Sequence, residues 1–326
     1  MGVAIIGTGS YLPELRLTNK DMEMMVDTSD EWIITRTGIK ERRVCPKNKA
    51  SSDLGYEASI RAIEDAKIKK EEIEFIICAT ITPDMYFPST ACLIQKKLGL
   101  ENIPSFDFQA ACSGFIYGLE IAKGLINGCG YKMGLVVASE CMSRLTDYTD
   151  RSTCVLLGDG AGAAIVSKTE EEGIIDSYLS SNGNYENLLF TPAGGSLNPS
   201  SFKTIEKREN FMKMEGSTLF KIAIYSMSEA VFKLLEKNGF KKEDISIIIP
   251  HQANFRIIAG VAKNLEIPLE KFFINIEKYG NMSAACVPIA LDEAVKEGKI
   301  KKGDLVITVA FGAGLTWASN LIRWVK

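Results

Sequence analysis

Histidine is nearly absent: the 326 residues include one, His251. That scarcity disfavours a zinc site, which draws on several imidazoles or on paired thiolates. The eight cysteines, Cys45, Cys78, Cys92, Cys112, Cys129, Cys141, Cys154 and Cys286, form no CxxC pair and keep no regular spacing. Most stand in apolar runs, which suits reduced core thiols of a cytosolic protein rather than a disulfide framework or a metal site. Excess charge is missing too. Lys and Arg number 38 against 41 Asp and Glu, a net charge of −3, so there is no global basic footprint for nucleic acid. An anionic partner must be met by a local patch. No uninterrupted apolar run approaches the ~18 residues of a membrane span. No charged and then apolar leader precedes the strand-like Val3-Ala4-Ile5-Ile6, and Ile6 stands where the myristoylation pattern needs Ser or Thr, so neither signal is expected. What is present, 46% hydrophobic and 24% charged, is the make-up of a soluble globular protein with one large domain or two ordinary ones.

The stretch Asp107-Phe108-Gln109-Ala110-Ala111-Cys112-Ser113-Gly114-Phe115 is where the chain's chemistry concentrates. Alternation at Phe106 and Phe108 predicts a short strand. Phe115, Leu119, Ala122 and Ile126 then recur on one helical face. Cys112 is thus expected on the first turn of a helix, where unpaired N–H groups favour a thiolate, the nucleophilic form. Taken alone, the stretch equally suits a core cysteine, a common fate of free thiols. Gly114, Gly118 and Gly124 in that helix imply close packing, since each costs roughly 1 kcal/mol against Ala.

Elsewhere, Gly7-Thr8-Gly9-Ser10 reads as a turn, because a third glycine is missing and Pro13 stands where a nucleotide-binding helix would open. Residues 27–38, with Trp32, Arg36 and Thr37, read as a polar exposed segment; Trp32 beside an arginine could stack a flat ligand or pack on its own loop. Gly158-Asp159-Gly160-Ala161-Gly162-Ala163 runs into a strand, not a helix, so tight turning and close packing explain it better than phosphate binding.

Lys69-Lys70-Glu71-Glu72-Ile73-Glu74-Phe75-Ile76-Ile77 reappears as Lys241-Lys242-Glu243-Asp244-Ile245-Ser246-Ile247-Ile248-Ile249, an offset of about 172 residues. The same offset sets Leu119 against Leu291 and Ala122 against Ala294. Duplication is the economical reading. It divides the chain into related α/β halves, 1–170 with the cysteine and 171–326, each a sheet flanked by helices. Cys112 falls opposite Ala284, so only one half keeps the nucleophile position.

A cysteine nucleophile usually works with an imidazole, and His251 ends a strand in Pro250-His251-Gln252-Ala253-Asn254, at the edge where α/β sheets place ligands. Asn281 lies in Tyr279-Gly280-Asn281-Met282-Ser283 before another helix. These three motifs, with Trp32, Arg36-Thr37-Gly38-Ile39, Gly158 to Ala163 and Phe311 to Trp317, resemble β-ketoacyl-acyl-carrier-protein synthase III, the initiating condensing enzyme of type II fatty-acid synthesis. The resemblance runs end to end. It implies the thiolase fold, five αβαβα layers built from two duplicated halves, as a homodimer in the cytoplasm. It implies a triad of Cys112, His251 and Asn281, with an oxyanion hole from the backbone N–H groups of Cys112 and Ala313, the latter standing where the family often has glycine. It further implies an acyl-CoA and malonyl-acyl carrier protein as substrates, with no metal and no other cofactor. Trp32 and Arg151 would sandwich the CoA adenine, with Thr28, Arg36, Lys221 and Asn254 nearby. Arg256 and Lys263 would meet the carrier protein, and Asn264 replaces a lysine often found beside them. Phe87, Met142, Leu157 and Phe311 would line the acyl pocket, Phe87 coming from the other subunit.

The same residues admit three other readings. A relative from secondary metabolism would use another acyl-CoA or acceptor. A papain-like Cys-His-Asn hydrolase lacks its Cys-Gly-Ser-Cys-Trp signature here and leaves the repeat unexplained. A non-catalytic acyl-binding module has no need of a nucleophile.

Overall fold

Two β-sheets with the same strand order make up the frame of the computed structural model, which describes residues 2–326. The first sheet contains β1 (Gly2–Tyr11), β2 (Ile76–Ala79), β3 (Ser105–Phe108), β4 (Met133–Cys141) and β5 (Asp159–Thr169), in the order β1-β5-β4-β2-β3. The second contains β6 (Ile174–Ser181), β7 (Ile247–Pro250), β8 (Leu305–Gly312) and β9 (Thr316–Arg323), in the order β6-β9-β8-β7. Both run antiparallel, antiparallel, then parallel across their shared positions. A parallel bridge from Ile248 to Phe272 stands where β3 would be in the second sheet. The register carries the 172-residue offset: Ile76 pairs with Leu135, and Ile248 with Ile307.

The longer helices are α1 (Asp30–Thr37), α2 (Ser51–Ala66), α3 (Thr90–Leu98), α4 (Gly114–Cys129), α5 (Gly216–Asn238), α6 (Phe255–Leu265) and α7 (Cys286–Lys296). Strand side chains alternate between faces, and that alternation builds the layers. Ile76 and Cys78 pack outward with Leu54 and Ala58 of α2 and Ile94 of α3. Ile77 and Ala79 pack inward with Phe115 and Leu119 of α4, Val287 and Leu291 of α7, and Val306 of the second sheet. On the far side Ile248, Ile307 and Val309 meet Leu219, Met227 and Val231 of α5 and Ile258 of α6. The result is five layers, α–β–α–β–α. A helix sealed between two sheets must be apolar nearly all round, and Cys286 to Asp292 of α7 is buried without a break.

The expectation of a turn at Gly7-Thr8-Gly9-Ser10 is overturned: β1 continues through it to Tyr11. Its period of two is functional in packing. A Cβ on Gly9 would come within 2.3 Å of the Ala62 backbone nitrogen, so that face lets α2 sit directly on the strand. The opposite face sends the Thr8 and Ser10 hydroxyls to the buried Asp292 carboxylate of α7 at 2.9 and 2.5 Å. Residues 27–38, expected to be polar and exposed, are exposed at Asp27, Ser29, Asp30, Glu31, Thr35 and Arg36 but are ordered as a capped helix. Ser29 caps α1 by accepting from the Trp32 N–H, and Ile33 and Thr37 are buried. β5 begins at Asp159, so Gly160 and Gly162 lie within a strand and serve close packing only, against Met282 and Pro288. The helix glycines divide: a Cβ on Gly118 would meet Val136 at 2.9 Å, whereas one on Gly124 would meet nothing within 4 Å.

That contrast is testable by urea unfolding. Gly124→Ala is expected to raise stability by about 0.5–1 kcal/mol, the helix-propensity gain. Gly9→Ala is expected to lower it by about 1–3 kcal/mol, the cost of overpacking a backbone contact. Equal midpoints for the two variants would contradict the packing described.

Candidate active site

Cys112 sits in a 3-10 turn, Ala111–Ser113, between β3 and α4. It precedes the α-helix rather than opening it. Ala111 is left-handed at φ 45°. The second half grips this turn. The Thr316 hydroxyl donates to the Ala110 carbonyl at 2.8 Å, and Ser113 donates to the Thr316 carbonyl at 3.3 Å. A Cβ on Gly312 would lie 2.6 Å from the Cys112 nitrogen, so only glycine lets β8 come this close.

Asn281 is presented by a second turn. Gly280 has φ 68° and ψ −160°, a conformation that glycine accepts readily. The Asn281 N–H donates to the Leu156 carbonyl at 2.8 Å, and the Gly158 N–H donates to the Asn281 carbonyl at 2.9 Å. The Asn281 Oδ1 accepts from the Ser283 N–H at 2.9 Å, which fixes the carboxamide's orientation. Cys112 and Asn281, one from each half, line a single cavity of about 770 Å³ together with Ala313, Met142 and Leu157.

His251 follows β7, is buried, and donates its backbone N–H to Val309 at 2.7 Å. Its Nδ1 is buried without a partner. The neighbouring Gln252, a residue with no role expected from sequence, locks this loop. Its Nε2 donates to the carbonyls of Pro250 and Phe273, and its Oε1 accepts from Asn275 and Ile276. Cys286 lies 3.9 Å from both the Gln252 carbonyl and Asn281 Oδ1, and so joins the His251 loop to the Asn281 turn.

Burial dominates the electrostatics. Desolvation pushes the Cys112 thiol up to about 12, and a hydrogen bond with Ser283 offsets only part of that. The expectation that the turn's position at a helix start would favour a resting thiolate is therefore corrected: removal from water wins. Burial holds His251 down to about 3, so its imidazole is neutral at physiological pH. Sequence reasoning also missed Glu140, at the end of the apolar run of β4. It is fully buried and accepts from Thr80, Thr82 and the Ile81 N–H. An acid directly after an apolar run was the signal available. Among the described residues no group of three or more His, Cys, Asp or Glu side chains stands at metal-binding spacing, and no helix is long and apolar enough to cross a membrane.

The residues expected to hold CoA gather on one surface. The Arg151 guanidinium lies over the Trp32 ring, 5.0 Å from its centroid, and donates to the Asp27 carbonyl at 2.8 Å. The Thr28 hydroxyl beside it is buried without a partner. Asn254 donates to the Arg36 carbonyl at 3.0 Å, and Arg256 stacks on Phe220, the neighbour of Lys221. Arg36, Lys221, Arg256 and Lys263 are exposed. The acyl-pocket expectation divides. Met142 and Leu157 line the cavity. Phe311 instead packs into the core between the second sheet and α5. Phe87, expected to enter from another subunit, stands 84% exposed on a loop. The strap from Leu189 to Met214 supplies much of the remaining wall, a contribution that its loop-like sequence concealed.

Residues 106–183 match the family described as 3-oxoacyl-[acyl-carrier-protein (ACP)] synthase III, and residues 235–324 match its C-terminal region. A curated relative from Caldanaerobacter subterraneus subsp. tengcongensis, named beta-ketoacyl-[acyl-carrier-protein] synthase III, is 54% identical over 327 residues, covering 100% of this chain and 99% of its own. The Clostridioides difficile protein of the same name is 50% identical over 320 residues, covering 98% of each. The crystal structure of 3-oxoacyl-[acyl-carrier-protein] synthase III from Aquifex aeolicus superposes with a TM-score of 0.91 at 48% identity, covering 99% of this chain and 100% of that one.

The depressed His251 pKa carries a stability prediction. Between its ordinary 6.5 and about 3 the unfolded chain binds a proton that the native state refuses. The contribution of the neutral imidazole is therefore full above about 6.5 and is lost as pH falls toward 3. The unfolding free energy of the wild type minus that of His251→Asn should shrink steadily from pH 7 to pH 4. A constant difference over that range would mean the imidazole titrates in the native state as it does in water.

Proposed function

The chain belongs to the β-ketoacyl-[acyl-carrier-protein] synthase III family, and from that membership we propose how its own residues divide the work. The reaction is a decarboxylative Claisen condensation of an acyl-CoA primer with malonyl-acyl carrier protein. It gives 3-oxoacyl-acyl carrier protein, CoA and CO2, and starts type II fatty-acid synthesis. One observation carries the assignment of roles: a thiol from one half and a carboxamide from the other face the same cavity.

Cys112 attacks the acyl-CoA carbonyl carbon and CoA leaves as its thiolate. The backbone N–H groups of Cys112 and Ala313 stabilise the tetrahedral oxyanion. Malonyl-acyl carrier protein then loses CO2, and the electron pair passes to the thioester oxygen as an enolate. Neutral His251 and the Asn281 carboxamide donate hydrogen bonds to that oxygen, each worth roughly 2.7–4 kcal/mol in a dry site. The enolate carbon attacks acyl-Cys112 and the cysteine is released. Decarboxylation makes the carbanion without a base, so one imidazole suffices. Both substrates bring their own phosphopantetheine arm, and the scheme needs no resident metal or cofactor. Thr28, Trp32, Arg36, Arg151, Lys221 and Asn254 receive the CoA end, and Arg256 and Lys263 meet the acidic carrier protein. The different-acceptor relative from secondary metabolism is not favoured, since relatives at 54% and 50% identity carry the synthase III name from end to end.

We read the chain as halves 1–170 and 171–326, and as a homodimer. The exposed edge strand β3, with Phe106 38% exposed, and the loop bearing Tyr86 and Phe87, 83% and 84% exposed, support that assembly. Phe87 would then enter the partner's acyl pocket. Eight unpaired cysteines support a reducing compartment such as the cytoplasm.

Incubation with labelled acetyl-CoA should add one acetyl group to the wild type, read by intact mass, and none to Cys112→Ser. Label persisting on the serine variant would move the nucleophile elsewhere. Asn281→Ala should keep this labelling while malonyl decarboxylation falls about 100-fold or more; equal loss of both half-reactions would refute the division of roles. Arg36→Ala and Lys221→Ala should raise KM for the acyl-CoA, whereas Arg256→Glu should raise KM for the carrier protein and leave the former unchanged.

A further inference from the structure

Three positions at which the halves differ converge behind the nucleophile. At the 172-residue offset Cys112 corresponds to Ala284, Ser283 to Ala111, and Glu140 to Gly312. Ala111 and Ser283 open equivalent 3-10 turns with the same left-handed backbone, φ 45° and 50°. The turn therefore forms without a hydroxyl, and the one on Ser283 is additional. It is buried, and it accepts from the Cys112 thiol at 3.6 Å. A Cβ at Gly312 would point at the Ala111–Ser113 turn. By the same symmetry the Glu140 side chain is directed at the Ser283 turn, and the Ser283 hydroxyl there opposes part of the rise that burial imposes on the carboxyl.

We propose that Glu140, acting through the Ser283 hydroxyl, receives the proton that Cys112 gives up on acylation and keeps it until the thiolate is regenerated. The Cys112 S–H bond breaks and its proton goes to Ser283 Oγ, while the serine's own proton passes to Glu140. A thiolate and a carboxylic acid replace a thiol and a carboxylate, so no net charge enters the buried site. The sulfur attacks the acyl carbon, and the departing CoA thiolate takes a proton from water. After condensation Cys112 leaves as the thiolate and recovers its proton from Glu140 by the reverse path. The turnover consumes one proton, as the loss of CO2 from a malonyl carboxylate requires.

Other groups are poorly placed for this step. His251, held near 3 by burial, is a weak proton acceptor. Burial raises Glu140 to about 7, against the opposing pull of its hydroxyl and N–H donors, and that places it at the working pH. No cation is paired with it among the described residues. The titratable groups that feel its charge are the thiols of Cys112, Cys286 on α7 and Cys78 on β2. Glu140 touches no substrate atom; it is a positioning residue that acts through Ser283.

This inference rests on Cys112 being the nucleophile, but its test needs no substrate. The rate of Cys112 alkylation by iodoacetamide, followed by peptide mass from pH 5.5 to 9, should rise through an inflection near pH 7 in the wild type. In Glu140→Gln and in Ser283→Ala that inflection should vanish, with alkylation at pH 7.5 at least tenfold slower. Glu140→Asp should restore part of both. Alkylation of Glu140→Gln as fast as or faster than the wild type would overturn the proposal, because the carboxylate would then act only by repelling the thiolate. So would an inflection that survives in Ser283→Ala, the variant whose backbone is already tolerated at Ala111 and which decides the matter if Glu140→Gln does not fold. If instead the chain used a different acyl donor, acetyl labelling would fail while the alkylation profiles stayed as expected.

Discussion

Thr316 reaches across from the second half to hold the Ala110 carbonyl, and β8 passes so close to Cys112 that a methyl group would not fit between them. This junction is the constraint on which the rest of the molecule depends. A nucleophile must be held to within fractions of an ångström to be useful. Here neither half could do that by itself, since one provides the turn and the other its clamp. The Asn281 turn is held in the converse way, its backbone hydrogen-bonded to the first half at Leu156 and Gly158. Each half thus fixes the turn that carries the other's candidate side chain, Cys112 or Asn281, and separating them would dismantle both turns together.

The setting those turns create is dry, and that decides which protonation states are present. Water stabilises thiolate and imidazolium, and its exclusion leaves a thiol and a neutral imidazole at rest. The same exclusion strengthens every hydrogen bond aimed at a developing charge. A site that holds its thiol and imidazole neutral before reaction and donates strongly during it stabilises the transition state more than the ground state.

Much of this arrangement was legible in the residues. The helical period after Cys112, the repeated Lys-Lys-Glu segment and the single histidine suffice for two related α/β halves with the chemistry at their junction. What stayed hidden was fixed by neighbours distant in sequence. Gly7 to Ser10 resembles a turn because glycine and hydroxyl residues are turn formers. It is a strand because α2 occupies the glycine face and Asp292, some 280 residues away, takes the hydroxyls. Gly124 looked like Gly118 and is not packed at all, since a glycine's surroundings leave no trace in its own identity. Glu140 carried a local hint, an acid closing an apolar strand, but its hydrogen-bond partners Thr80, Ile81 and Thr82 lie some 60 residues earlier in the chain. Phe311 was placed in the acyl pocket by resemblance, and the packing of the second sheet against α5 takes it into the core instead.

The stacking of Arg151 on Trp32 covers one face of that indole with the protein's own guanidinium, so a flat ring such as the proposed CoA adenine would meet a face already in use. An incoming ring has to displace that group or slide beneath it, surrendering about 0.5–1 kcal/mol of existing attraction. The same stack re-forms when the ring departs, so it subsidises departure by the amount it taxed arrival. A catalyst that discharges a spent carrier on every cycle gains from such a spring: the vacated berth closes over itself, and the carrier is not retained longer than the chemistry needs.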